Sequence, residues 1–465
     1  MIGVGLDFGT SNTAAAWFDG KKVHLVQLEE GDAIMPTATH LDRDLATLTG
    51  KAAVDQYIDE NSDRIVELTP EVIAKTSLLT GEASLEDPYS QAETSTQNVY
   101  GQPWVDRGMP GRLFRGVKRL LGNPAIKRLL VFDHPFRLVA LITPVLLRIR
   151  KTIERDLPGN FEDIYFGHPV LFEGHEARRN ELAFERLSEA CGYAGIDHMM
   201  FYPEPVAATL SYRHDERSPD SGAVLTVDFG GGTLDLSVVR YTGAEFKVLA
   251  TTGMSLGGDH IDQLIFRECL FAEFGKGEQW SRVKDGTLIT SDFPFEEYEE
   301  MLLNWAVTYI LNQNQYRSKI VDRINQGGAG VEKFERLLDL ITHNYSYLVF
   351  QAIKDAKAAV SFDETTVIDI PELDISLPFS RQDLERIMAP MLEDIDAIVT
   401  QVMSLADIDS SAIDIVIRTG GSSQIAAVRE LLEARFPGKV TEHDPFTSVA
   451  AGLAIASYHG YTFAR

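Results

Sequence analysis

Three short glycine-rich stretches carry residue types suited to holding phosphate. Asp7-Phe8-Gly9-Thr10, Asp228-Phe229-Gly230-Gly231-Gly232-Thr233 and Thr419-Gly420-Gly421-Ser422-Ser423 each include or follow the end of an apolar run. Successive backbone N–H groups in such turns form concavities for anions. Three of them on one chain point to a polyphosphate nucleotide. Gly9 and Thr10 are placed to hold phosphate oxygens from one side and Gly230 to Thr233 from the other, with the Thr10 and Thr233 hydroxyls as further donors. Ser11 and Asn12 extend the first turn, Gln424 extends the third, and Gly257 and Gly258, ahead of Asp259, form another backbone approach to phosphate. Asp7 and Asp228 end equivalent runs, and Asp235 follows the second turn. Magnesium is commonly held by a few carboxylates together with substrate phosphates, so these three acids suit a metal–nucleotide site, mostly through water. Taken singly, each turn is equally an ordinary hairpin and each aspartate a turn cap. The paired occurrence of Asp-Phe-Gly favours the nucleotide reading.

Other chemistries drop out. No P-loop pattern occurs. Gly253-Met254-Ser255-Leu256-Gly257 matches the nucleophile-elbow spacing, but one short match in a long chain carries little weight. His175-Glu176 begins a zincin-like string whose second histidine is replaced by Arg179. Cys191 and Cys269 are the only cysteines, too few for a disulfide scaffold or a cysteine zinc site. With 43 Lys and Arg against 69 Asp and Glu, the formal charge of −26 repels nucleic acid, whose binding depends on neutralising phosphates with basic side chains. The N-terminus lacks the basic and apolar regions of a signal peptide. The most apolar stretch, Phe136 to Ile149, is interrupted by Arg137, Pro144 and Arg148 and falls short of the roughly 20 residues that span a bilayer. No membrane or nucleic-acid partner is expected, and the location expected is cytoplasmic.

The elements that must position these residues follow from the pattern. The segments from Ile2 and from Val224 form an internal repeat: an apolar strand, Asp-Phe-Gly, a small-residue turn and a second β-rich run, which reads as a hairpin built twice. Helical spacing marks Leu120 to Leu130, Val139 to Glu154 and His175 to Cys191. A strand over Ile164 to Gly167 precedes Pro169, and Asp259 to Lys357 reads as mostly helical, with a loop at Gln326 to Gly330. Ile413 to Arg418 reads as a strand entering the third glycine turn and the helix Ile425 to Arg435. Strands alternating with helices indicate an α/β fold. Leu79 to Gly111, rich in Ser, Thr, Gln and acidic residues, reads as a long loop or inserted lobe.

These residues carry a family resemblance. The order of Asp7-Phe8-Gly9-Thr10, the second motif to Asp235, and Arg418 to Ile425 resembles the phosphate and adenosine motifs of the actin-like ATPase superfamily. Within it, Gly116 to Gly122 (GVKRLLG), Pro203 to Tyr212 (PEPVAATLSY) and Ser255 to Asp262 (SLGGDHID) resemble DnaK-type heat-shock chaperones. The resemblance implies ATP or ADP with Mg²⁺ as ligands. Lys118, Glu204 and Asp228 match the residues that position the attacking water, the γ-phosphate and the metal; Pro169 matches a hinge proline; Lys357 and Ser361 match residues beside the nucleoside. Three positions depart from the family. Ala358 and Gln424 stand where arginines are expected around the adenine, and Lys354 where a glutamate contacts the ribose. The sequence ends at Arg465 after a segment, Asp444 to Ser457, that resembles a closing strand and crossing helix. On this reading the peptide-binding domain is missing, as in the truncated YegD-like relatives.

The expectation is therefore two RNase-H-like α/β lobes around a nucleotide cleft, each with an inserted smaller subdomain. Residues 1–221 form lobe I, with its outer subdomain at about 37–124, and 222–444 form lobe II, with an outer helical subdomain at about 259–361. Residues 445–465 return to lobe I. The activity expected is slow, Mg-dependent ATP hydrolysis, with an unidentified protein partner or client. Two alternatives remain at this stage: a nucleotide-sensing pseudo-ATPase scaffold, and a small-molecule kinase of the same superfamily.

Overall fold

A computed structural model describes residues 2–66, 68–80, 93–106, 108–132, 134–159, 161, 163–169, 177–215, 219–284 and 287–463. The first apolar run forms β1 (Gly3–Phe8), which turns back as β2 (Asn12–Phe18), followed by β3 (Val23–Leu25). β4 (Ile164–His168) lies parallel to β1, and β5 (Met199–Pro203) lies parallel to β4. The sheet order is β5-β4-β1-β2-β3, with Ile34–Pro36 also paired to β2. The second repeat builds the same order. β6 (Ser221–Phe229), β7 (Leu234–Thr242) and β8 (Glu245–Met254) run antiparallel, and β9 (Ile415–Thr419) and β10 (Val440–Glu442) add on parallel beyond β6. The order is β8-β7-β6-β9-β10. The hairpin repeat read from the sequence thus extends to two whole sheets, and the α/β class holds.

Helices cover both sheets. α1 (Leu138–Asp156) and α2 (Ala177–Tyr193) bury the face of the first sheet that carries Val4, Leu6 and Phe8. α3 (Glu204–Asp215) starts directly where β5 ends. In the second half, α4 (Gly258–Ile265), α5 (Ser346–Ala359), α6 (Arg381–Ala406) and α7 (Ala426–Arg435) surround the second sheet. The last helix, α8 (Ser448–His459), returns to the first sheet and packs on β1 and α3. Its sequence, SVAAGLAIASYH, is small-residue-rich for a steric reason. A Cβ on Gly5 would lie 2.3 Å from the Ala450 carbonyl oxygen, and one on Gly452 would lie 1.8 Å from that of Ala207. Backbone meets backbone there, and nothing larger fits.

The parts outside the two sheets meet each other. Tyr57, Val66 and Met109 belong to the same buried cluster as Trp305, Tyr309 and Leu311. The Val66 N–H donates to the Asn312 carbonyl at 3.0 Å, the Asp63 N–H to that of Thr342 at 2.9 Å, and the Arg64 guanidinium lies 5.3 Å from the centre of the Tyr309 ring. Segments 53–66 and 305–312, expected in separate outer subdomains, therefore share one core.

Four expectations change. The helix over Leu120 to Leu130 is replaced by a single turn, Val117–Leu120, and a small hairpin of Leu129–Val131 with His134–Phe136. Gly122-Asn123-Pro124 ends the helix, and the Asn123 side chain accepts from the Ala125 N–H at 2.9 Å, a local turn contact that competes with helix. The loop expected from Leu79 to Gly111 contains much of a long antiparallel hairpin, Leu68–Thr80 with Glu93–Asp106, whose connection lies outside the described residues. The helical stretch after Asp259 is interrupted by the hairpin Gln279–Lys284 with Thr287–Asp292; Asp285-Gly286 between them is a strong hairpin dipeptide that the helical reading passed over. The closing strand lies before Asp444, as β10 of the second sheet, and among the described residues none follows it. His175-Glu176 lies outside the described residues.

Candidate functional site

A cavity of about 420 Å³ opens where the two Asp-Phe-Gly hairpins face each other. In the first hairpin Phe8 pairs with Thr13, so Gly9 to Ser11 project beyond the paired strands with Asp7 just behind them. In the second, Asp228 is directly opposite Asp235 and Phe229 opposite Leu234, which leaves Gly230 to Thr233 as the projecting turn. β9 lies parallel to β6 with Thr419 beside Asp228, bringing the third turn to the same edge. Gly420 there has φ +77°, and a Cβ would lie 2.4 Å from the Phe229 carbonyl oxygen, so the turn needs glycine on both counts. Buried Arg418 fixes this turn: its guanidinium donates to the Ser423 carbonyl and sits 3.3 Å from the Glu442 carboxylate.

Asp7, Gly9, Thr10, Ser11 and Asn12 line the cavity from the first hairpin, and Asp228, Gly230, Gly231, Gly232, Thr233 and Asp235 from the second. Gly258, Asp259, Lys357 and Ser361 contribute from α4 and the end of α5, and Gly420, Gly421, Ser422 and Gln424 from the third turn. Lys118, Pro169 and Glu204 complete the set. Gly257 is the exception. It is not in the wall, and a Cβ there would lie 2.3 Å from the Gly231 carbonyl oxygen. The N–H groups of Gly258 and Asp259 donate to the carbonyls of Gly230 at 3.0 Å and Gly231 at 2.7 Å. These two hydrogen bonds hold the second turn in shape. Ser255 of the elbow-like string is exposed.

Several of the acids face the Lys118 ammonium. The Lys118 Nζ donates to Glu204 Oε1 at 3.0 Å, joining residues 86 apart in sequence, and Lys118 is 6% exposed. Lys118 reaches the site because Gly116, at φ +66°, turns the chain into the short helix that carries it. Glu204 opens α3, where the helix N-terminus favours a negative charge. Burial works against the Lys118 ammonium, yet Glu204 and Asp7 outweigh it and hold its pKa above the usual lysine value. Burial, with Glu204 and Asp228 nearby, pushes Asp7 up to about 8. Burial, with Asp235 and Glu204, pushes Asp228 up to about 7. Asp7, Glu204, Asp228 and Asp235 all act on the Lys118 ammonium, and Arg115 and Arg119 line the same cavity. A hard divalent cation takes oxygen ligands of this kind, and Asp7, Asp228 and Asp235 could hold one through water, since their carboxylate oxygens do not all lie within 4.8 Å of one another.

A second charged pair sits on the α4–α5 side. The Lys357 ammonium donates to the Gly258 carbonyl at 3.0 Å and to the carboxylate of fully buried Asp262. Burial nonetheless raises the Asp262 pKa, Lys357 pulling the other way. Lys354 lies 3.7 Å from Asp259, and the Gln424 amide donates to Glu442 at 3.1 Å. Sequence reasoning did not single out Asp262, Arg119 or Phe446. Arg119, next to Lys118, lies against the second turn, with its Nη2 1.6 Å from where a Cβ on Gly232 would be.

The pattern of the Hsp70 protein family matches residues 126–290 and 333–458, more than half the chain. Glu204, the second and third glycine turns, Lys357 and Ser361 fall inside the matched segments; the first hairpin and Lys118 fall outside. The chain is 23% identical over 458 residues to a chaperone protein HscA homolog of Shewanella putrefaciens, covering 98% of this chain and 58% of that protein. It is 23% identical over 458 residues to chaperone protein DnaK of Nitrosopumilus maritimus, covering 97% and 55%. Against chaperone protein dnaK of Emiliania huxleyi it is 22% identical over 462 residues, covering 97% and 59%. The chain thus spans a little over half the length of these relatives. No described helix is long and apolar enough to cross a membrane.

Proposed function

We infer from a chain that belongs to the Hsp70 family, and from the cavity just described, a nucleotide-binding unit that takes ATP or ADP with Mg²⁺ and hydrolyses ATP slowly. The observation that carries this reading is the buried Lys118–Glu204 pair beside Asp7 and Asp228, between two glycine turns of matching topology. On this reading the two sheets belong to two RNase-H-like lobes. The turns at Gly9 to Asn12 and Gly230 to Thr233 bind the phosphates through backbone N–H groups and the two threonine hydroxyls. Lys118 interacts with the γ-phosphate, and the Glu204 and Asp228 carboxylates orient a water for in-line attack. Mg²⁺, when bound, neutralises phosphate charge. Phosphoryl transfer depends on positioning and electrostatics more than on covalent chemistry by the protein, which suits a site whose charged groups are buried and held by one another. Lys357 and Ser361 stand on the nucleoside side, with the ammonium anchored by Asp262.

The output proposed is a change in closure of the cleft, read by a protein partner or client. Calorimetric titration of ATP with and without Mg²⁺, with phosphate release followed in the same samples, tests the reading. Mg-dependent binding with slow release supports it, and no binding refutes it. The changed side chains at Ala358, Gln424 and Lys354 also favour one second reading, a nucleotide-sensing scaffold, for which binding without release is the expected result.

A further inference from the structure

We propose that Phe446 is the platform on which the nucleobase stacks, a specificity-determining contact supplied by the loop after β10. The proposal rests on the nucleotide reading above. The acid-rich part of the cavity, around Lys118, provides for phosphates and a metal. A base needs a flat apolar surface elsewhere in the same cavity, and Phe446 is the aromatic side chain in its wall. It is 46% exposed, large for a phenylalanine next to a buried turn, and no ring contact occupies it among the described residues.

The ring is held in place. A Cβ on Gly421 would lie 2.8 Å from two of its carbons, so the ring lies directly against the third glycine turn. The Gly420 N–H donates to the Pro445 carbonyl at 2.7 Å, and the N–H groups of Thr447 and Ser448 donate to the Asp444 carbonyl at 3.1 and 3.0 Å. The turn against which the ring lies is itself joined to the second glycine turn, since the Ser422 hydroxyl donates to the Gly230 carbonyl at 3.0 Å. Other side chains of the wall leave the base face open to the ring. Ala358 presents only a methyl group, and the Gln424 amide is drawn to Glu442. An aromatic face preorganised in this way binds a planar base with little ordering cost, and stacking needs only the π-face of the base.

The test compares ATP with inorganic tripolyphosphate, which has the phosphates and no base, by calorimetry in the presence of Mg²⁺. Phe446→Ala should weaken ATP about five- to thirty-fold, the scale of one base–aromatic stack, and leave tripolyphosphate within about two-fold. Phe446→Trp should restore ATP affinity, and its indole fluorescence should be quenched by ATP and not by tripolyphosphate. Unchanged ATP affinity in Phe446→Ala overturns the proposal, as does an equal loss for both ligands, which would make Phe446 a support of the turn. A wild-type protein that binds neither ligand would instead refute the nucleotide reading itself.

Discussion

The Lys118 ammonium lies 3.0 Å from Glu204 Oε1, within a cluster that also contains Asp7 and Asp228. A lysine and a glutamate from separate elements, 86 residues apart, meet at the point where the two glycine hairpins face each other. Lys118→Ala removes the ammonium facing these acids. It should reduce ATP turnover by at least about 100-fold, the scale of losing one charge-stabilising donor, and change ATP affinity only several-fold. Single-turnover phosphate release with parallel binding measurements checks this; native turnover in the variant would remove Lys118 from the mechanism.

Asp228→Asn should stabilise the ligand-free protein while it disables the site. The carboxylate is buried against Asp235 and Glu204, with its pKa pushed up to about 7, so keeping it ionised at neutral pH opposes folding. The amide removes that opposition and, on the proposed function, one carboxylate that serves the metal. The melting temperature without nucleotide should rise by about 2–4 °C, and the stabilisation by ATP with Mg²⁺ should shrink. Thermal unfolding with and without ligand measures both, and a lower melting temperature would contradict the cost assigned to burying this carboxylate beside Asp235 and Glu204.

Gly257→Ala tests the support of the second turn from outside the cavity. A Cβ at 2.3 Å from the Gly231 carbonyl has no flexible side chain to displace, so the backbone of the phosphate turn must move. A cost of about 1–3 kcal/mol in stability is expected, together with weaker binding of ATP and of tripolyphosphate alike. Full affinity in a folded variant would show that the turn does not depend on this contact.

Trp305 probes the bridge between the outer segments. Its ring meets Tyr57 at 6.3 Å between centres and carries the Arg115 guanidinium at 5.2 Å, in a core shared by residues 53–66 and 305–312. On the closure proposed above, opening the cleft would loosen that core. Trp305→Ala should therefore speed release of labelled ADP several-fold in stopped-flow experiments and lower stability by about 3 kcal/mol. An unchanged release rate would separate the bridge from cleft opening.

The parts of the fold that were legible in sequence are those the chain states twice. Asp7 and Asp228 occupy the same register position before a phenylalanine and a glycine turn, and that repetition located the two hairpins around which the sheets are built. Lys118 and Glu204 were accessible only through family resemblance, because a lysine on a four-residue helix has no local signal and its partner is distant. Asp262 was missed because its burial depends on Lys357, 95 residues later, reaching across to pair with it. The hairpin of Gln279–Lys284 with Thr287–Asp292 was missed because the helical character of the residues around it outweighed the Asp285-Gly286 signal. The shared core of Tyr57 and Trp305 was invisible for a related reason, since each looks like an ordinary apolar position until the two segments meet.

The most direct test of the central claim is a titration of ATP into the purified protein with and without Mg²⁺, with phosphate release followed in the same samples and Lys118→Ala run alongside. The account predicts binding that tightens with Mg²⁺, slow release by the wild type, and comparable binding with release suppressed in the variant. No binding of ATP in the presence of Mg²⁺ would contradict it.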